Sequence, residues 1–111
     1  DKRTITDGER SIDLMHMDSL DHTDDMLMVW LPKEKIVVEA DMYNPVAAGQ
    51  PQPPVAAQNM NFLFNLERWG IAPETIVSIH TGVHPMSDFL KFVGVDKLVM
   101  RGRGLNAALN E

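Results

Sequence analysis

His22, Asp41 and His80 are the residues of this 111-residue chain whose types and placement suit chemistry. His22 lies in the polar stretch Asp18–Asp25, which carries four aspartates, and three residues separate it from the apolar run Met26–Leu31. Asp41 ends a second apolar run that begins at Ile36. Alternation is nearly absent in Met26–Leu31 and in Ile36–Val38, so each reads as a strand buried on both faces. Pro32-Lys33-Glu34-Lys35 between them reads as a polar hairpin turn. Antiparallel pairing of the two strands brings the residues before the first and after the second to one end. A histidine and a carboxylate held side by side on rigid strand ends are what a metal site requires. His80 closes a later apolar run, Ile76–Ile79, and Thr81-Gly82 follows it, a pattern typical of a catalytic loop.

Plainer roles compete for each of these residues. A histidine in a polar loop is ordinarily solvated, and an aspartate before Tyr43-Asn44-Pro45 is commonly a turn former. A histidine after a strand can simply cap it. His16 alternates with apolar residues and reads as a half-buried, hydrogen-bonded histidine. Asp24, Asp25 and His84 are candidates for orienting a ligand through hydrogen bonds, as partners of metal-bound histidines do. Met15, Met17, Met26, Met28, Met60 and Met100 read as core filling or interface, because thioethers are poor ligands for hard divalent ions.

The elements that must position these residues are legible in outline. Asp7-Gly8-Glu9-Arg10 between Thr4–Thr6 and Ser11–Met17 signals a hairpin. In its second arm Ile12, Leu14 and His16 share one face, while Asp13, Met15 and Met17 share the other. Residues 44–54, with prolines at 45, 51, 53 and 54, read as an extended surface loop. Pro54 suits the first turn of a helix from about Val55 to Trp69, with Gly70 as its C-terminal cap. Ile76–Ile79 is the next strand and Thr81–Pro85 a loop. Ser87 or Asp88 can cap a short helix over Phe89–Val93, stopped by Gly94. Asp96 can cap a last helix that Gly102 and Gly104 weaken.

The order of these features resembles the second half of a metallo-β-lactamase-fold hydrolase. The resemblance runs from about Ser11 to Gly94 and rests on DHTDDM, LPKEKIVVEAD, the proline-rich loop, a helix ending RWG, and IVSIH. It implies an α/β (α+β) fold, half of an αββα sandwich: a mostly antiparallel sheet with helices on one face. It also implies that His22, Asp41 and His80 are metal ligands, with Asp41 bridging two divalent ions, usually zinc. Such ions hold a water that becomes hydroxide near neutral pH and attacks a carbonyl or phosphoryl group. The family has glycine directly after the last histidine, where this chain has Thr81. The family's histidine-rich motif belongs to its first half, and this sequence contains nothing like it. By the resemblance, then, the chain holds half a site.

Composition sets the outer limits. The length suits one domain spanning 1–111, able to bury ~65% of its unfolded surface. Hydrophobic content of 44% and charged content of 23% are those of a globular protein. A net charge of −6 argues against nucleic acid or an anionic membrane surface as partner. The absence of cysteine excludes disulfides and thiolate metal sites. No apolar run approaches the ~20 residues of a membrane-spanning helix. Strands apolar on both faces need cover on both, so the expected partner is a complementary N-terminal half or a second copy in a homo-oligomer. Three functions follow: a metallohydrolase portion inactive alone, an oligomeric structural or small-ligand-binding module, or a plain interaction domain whose histidines and aspartates are incidental.

Overall fold

A computed structural model of the chain describes residues 2–17 and 26–99. Six strands form a single sheet in sequence order: β1 (Lys2–Thr6), β2 (Ser11–His16), β3 (Leu27–Leu31), β4 (Ile36–Glu39), β5 (Thr75–Ser78) and β6 (Gly82–Pro85). All neighbours are antiparallel except β4 and β5, which run parallel because α1 (Ala57–Trp69) crosses over between them. A second helix, α2 (Met86–Val93), follows β6 directly. The molecule is thus a small α+β fold with an open, mostly antiparallel sheet.

The turns form where their chemistry allows. Asp7 Oδ1 accepts the backbone N–H groups of Glu9 and Arg10 at 2.9 and 2.8 Å, and Gly8 takes the positive φ of 96° that the tight reversal needs. Accepting those amides holds the Asp7 carboxyl below its usual value. The 32–35 turn closes through Lys35 N–H on Leu31 O at 2.8 Å. Gly70 ends α1 in the left-handed region, its N–H reaching Glu67 O.

Among the described residues the core lies on one face only. Met15, Met17, Met28, Trp30, Val37 and Ile76 project from the sheet onto Phe62, Leu63 and Leu66 of α1 and Phe89 of α2, all buried. On the other face, cross-strand partners line up Ile5 with Ile12, Leu14 with Val29, Val29 with Val38, and Val77 with Val83. That face is half-buried to exposed, with Leu27 at 51% and Val83 at 69%.

Several expectations change here. The unbroken apolar texture of β3 and β4 does not mean burial on both faces in this chain, since helices cover one side. In β2 the covered residues are Met15, Met17 and Asp13, whereas Ile12, Leu14 and His16 face the open side. Residues 82–85, expected as loop, form β6, because Val83 and His84 extend the sheet by pairing with β5. The helix expected over 89–93 starts at Met86, and Pro85, not Ser87 or Asp88, occupies its N-cap. Likewise α1 starts at Ala57, leaving Pro54 in the preceding extended segment. There Asn59 Oδ1 accepts the Ala56 N–H at 2.8 Å, so the asparagine and not the proline sets the helix start. Residues 96–99 form a bend and irregular chain where a helix start was expected. Of the methionines read as core filling or interface, Met60 is 44% exposed, which leaves it outside the core, and Met100 lies outside the described residues.

Candidate functional site

One end of the sheet brings Asp41 and His80 together. β4 and β5 run parallel with Glu39 beside Ser78, so Asp41 and His80, each two residues further on, emerge side by side. His80 Nε2 lies 2.8 Å from Asp41 Oδ1, and both side chains are more than half or half exposed, at 59% and 50%. β3 begins at this end, and the chain leaves at Met17 and returns at Met26, whose backbone groups are bonded at 3.0 Å. His22, Asp24 and Asp25 lie in the intervening stretch, outside the described residues.

The backbone that carries Asp41 is strained and then clamped. Asp41 adopts a φ of 68°, a left-handed conformation uncommon for a residue other than glycine. The clamp is a set of buried polar groups. Glu39 Oε2 accepts the Met42 N–H at 2.9 Å, and Asn59 Nδ2 donates to Met42 O at 2.6 Å. Ser78 Oγ lies 2.5 Å from Glu39 Oε1 and 2.9 Å from Tyr43 O. Ile79 N–H donates to Glu39 O at 3.0 Å. The residues after β4 are therefore tied to α1 and to β5 at once, which fixes the separation of Asp41 from His80.

Glu39 is 2% exposed, an unusual place for a carboxyl. Burial pushes its proton affinity up, while the Ser78 hydroxyl and the Met42 and Tyr43 amides pull it down. Tyr43 is likewise pushed up, by burial first and then by the nearby Asp88 carboxylate.

A cleft of about 820 Å³, bounded by Tyr43, residues 45–48, Gln52, Thr81, His84 and α2, opens where the chain runs on from Asp41 and from His80, though neither residue lines it. His84 does not join the pair: its Nε2 bonds Thr81 Oγ1 at 2.9 Å, and its ring meets the edge of Tyr43 at 5.6 Å. Nor does His16, on β2, whose backbone oxygen accepts from Arg68 Nη2 and Trp69 Nε1 at 2.7 and 2.8 Å. Glu39, Ser78 and Asn59 are the site residues that inspection of the sequence overlooked. Glu39 had a signal, since alternation after Val37 places it on the inward face. Ser78 and Asn59 had none, because their roles depend on register and on where α1 crosses the sheet.

Among the described residues no group of three histidine, aspartate or glutamate side chains is placed to hold a metal ion. Asp41 and His80 are donors of the right kind for a divalent transition metal, and a catalytic zinc site takes three protein ligands and a water. Among the described residues no helix is long and apolar enough to cross a membrane. No protein-family model matches the sequence, and no curated protein is significantly similar to it.

Proposed function

We propose that this chain is the C-terminal portion of a metallo-β-lactamase-like metal-dependent hydrolase, contributing part of a dinuclear metal site and inactive alone. The observation that carries the reading is the Asp41–His80 contact: a carboxylate and an imidazole 2.8 Å apart, delivered by the ends of adjacent parallel strands. A surface ion pair alone does not call for a strained backbone and a buried clamp behind it. On this reading Asp41 and His80 hold the ion or ions together with His22. The bound metal supplies a water acidified toward neutral pH and a positive charge against the reacting oxygen. The chain's own contribution is positional: Glu39, Ser78 and Asn59 keep the Asp41 carboxylate aimed beside His80.

The open sheet face supports the incomplete-half part of the reading. Its aliphatic residues, on all six strands, are those that a second sheet covers in a four-layer sandwich. The same face also supports a second reading, an oligomeric structural or small-ligand-binding module without catalysis, in which another copy provides the cover.

Zinc titration followed by histidine ring NMR tests the site. The expected outcome is perturbation of His80, lost in Asp41→Ala, with His16 and His84 unmoved and no hydrolysis of ester, lactam or thioester substrates by the chain alone. Adding a first-half fragment that carries the histidine-rich motif is expected to yield chelator-sensitive turnover. Zinc that perturbs His84 or His16 in place of His80 overturns the site. Chelator-sensitive turnover by the isolated chain, abolished by Asp41→Ala, overturns the conclusion that the half-site is inactive alone.

A further inference from the structure

The cleft that opens where the chain runs on from Asp41 and His80 has a lining of definite character. Tyr43 and Phe92, with ring centroids 5.8 Å apart, form an aromatic floor, and residues 45–48, Pro-Val-Ala-Ala, form an apolar wall. The charged side chains in the lining are Asp88 and Lys91, one of each sign on the same helix, so the cleft carries no net charge. Tyr43 is 4% exposed; its backbone oxygen accepts from Ser78, its amide bonds Glu39, and its hydroxyl has no hydrogen-bond partner among the described residues. A phenol whose ring is buried and whose hydroxyl, open to solvent, bonds none of the described residues is a donor free for an acceptor in the cleft. The nearby His84 ring meets Tyr43 edge-on, and its Nε2 is engaged with Thr81.

We propose that this cleft binds an uncharged, largely apolar small molecule carrying a carbonyl oxygen, which accepts the Tyr43 hydroxyl while the hydrocarbon part lies between Phe92 and the 45–48 wall. The volume of about 820 Å³ falls within the ~300–1,000 Å³ of small-molecule pockets. A carboxylate gains from Lys91 what it loses beside Asp88, and an ammonium group the reverse, so neither charge is favoured. The inference deepens the hydrolase reading by naming the class of substrate. It rests on that reading for where the reacting group goes, and the binding itself needs no metal.

The test uses the full chain, in chelator, and amide NMR titration with three probes of similar size: N-phenylbutanamide, 4-phenylbutyrate and 4-phenylbutylamine. The expected result is saturable binding of the neutral amide, with shifts at Tyr43, Ala47, Thr81 and Phe92, and weaker binding of both charged probes. Tyr43→Phe is expected to weaken the amide roughly 2- to 10-fold, the value of one net hydrogen bond. Asp41→Ala is expected to leave it unchanged, which separates this proposal from the metal site. Tighter binding of either charged probe, failure of the amide to saturate at millimolar concentration, or an unchanged affinity in Tyr43→Phe each overturns it. Failure here, with zinc still perturbing His80, leaves the hydrolase reading standing.

Discussion

The two faces of the sheet differ less in hydrocarbon than in how they treat polar groups. The face under the helices carries Asp13, Glu39 and Ser78 among its apolar residues, and all three are buried. The open face carries Ile12, Leu14, Val29, Leu31, Ile36, Val38 and Val77, and stays half-exposed. On the covered face every polar group has a specific partner: Asp13 accepts Thr4 Oγ1 at 2.6 Å, and Glu39 and Ser78 bond each other. Burial there tolerates polarity because geometry satisfies it. The open face is mostly hydrocarbon, with His16 and Thr75 at its ends. One face carries the buried polar groups behind Asp41, and on the proposed reading the other is the one a second sheet would cover.

Mutations that thin the covered face are expected to have the largest effect. Phe62 is fully buried between the sheet and the Phe89 ring, whose centroid is 5.1 Å away. Phe62→Ala should cost about 3–5 kcal/mol in urea unfolding, enough to unfold a marginal domain. Leu14→Ala, on the open face, should cost much less in the chain alone. Equal losses would show that the open face is covered in solution. The assembly itself gives the next test. Light scattering is expected to find a dimer or larger species, and Val29→Lys, at the centre of the open face, to return a folded monomer. A wild-type monomer that binds no hydrophobic dye would remove the case for a missing cover.

The clamp behind Asp41 should be the next most sensitive. Glu39→Ala strands the Met42 N–H in a buried site, at about 1–3 kcal/mol, and leaves the Ser78 hydroxyl with Tyr43 O alone. It should also loosen Asp41 from His80, seen as exchange broadening of both. Asp41 itself is expected to behave oppositely. Its exposed ion pair is worth at most ~1 kcal/mol, and its left-handed backbone favours glycine, so Asp41→Gly should be neutral or slightly stabilising. A residue whose removal improves stability while abolishing the zinc response of His80 is one kept for function. A clear loss of stability in Asp41→Gly would mark it as an ordinary turn former.

The smallest expected effect lies on the edge hairpin, away from both faces. The folded Asp7 carboxyl titrates below its unfolded value, so its contribution is present above the ordinary aspartate range and is lost as pH falls through the lowered value. Asp7→Asn should flatten that acid limb and leave both sheet faces undisturbed, as read by amide NMR.

Much of this architecture was legible in the chain itself. Local rules located the Asp-Gly hairpin, the 32–35 turn, the proline-rich loop, the helix ending at Trp69 with its Gly70 cap, and the strand leading to His80. The order of apolar runs was enough to mark Asp41 and His80 as strand-end residues. Periodicity could not say which face of β2 goes inward, because Met15 and Met17 against Ile12 and Leu14 is hydrocarbon against hydrocarbon. That choice was made by where α1 and α2 pack. β6 was hidden for a related reason: Gly-Val-His-Pro has no strand pattern of its own and becomes one only by pairing with β5. The closeness of Asp41 to His80, 39 positions apart, comes from the parallel pairing of β4 with β5 across a helical crossover. The clamp of Glu39, Ser78 and Asn59 depends on that same register. The sequence determined which residues could meet at a strand end, because composition and turn chemistry act locally. Only the tertiary structure decided which of them do, because register and helix placement are set by contacts between segments far apart in the chain.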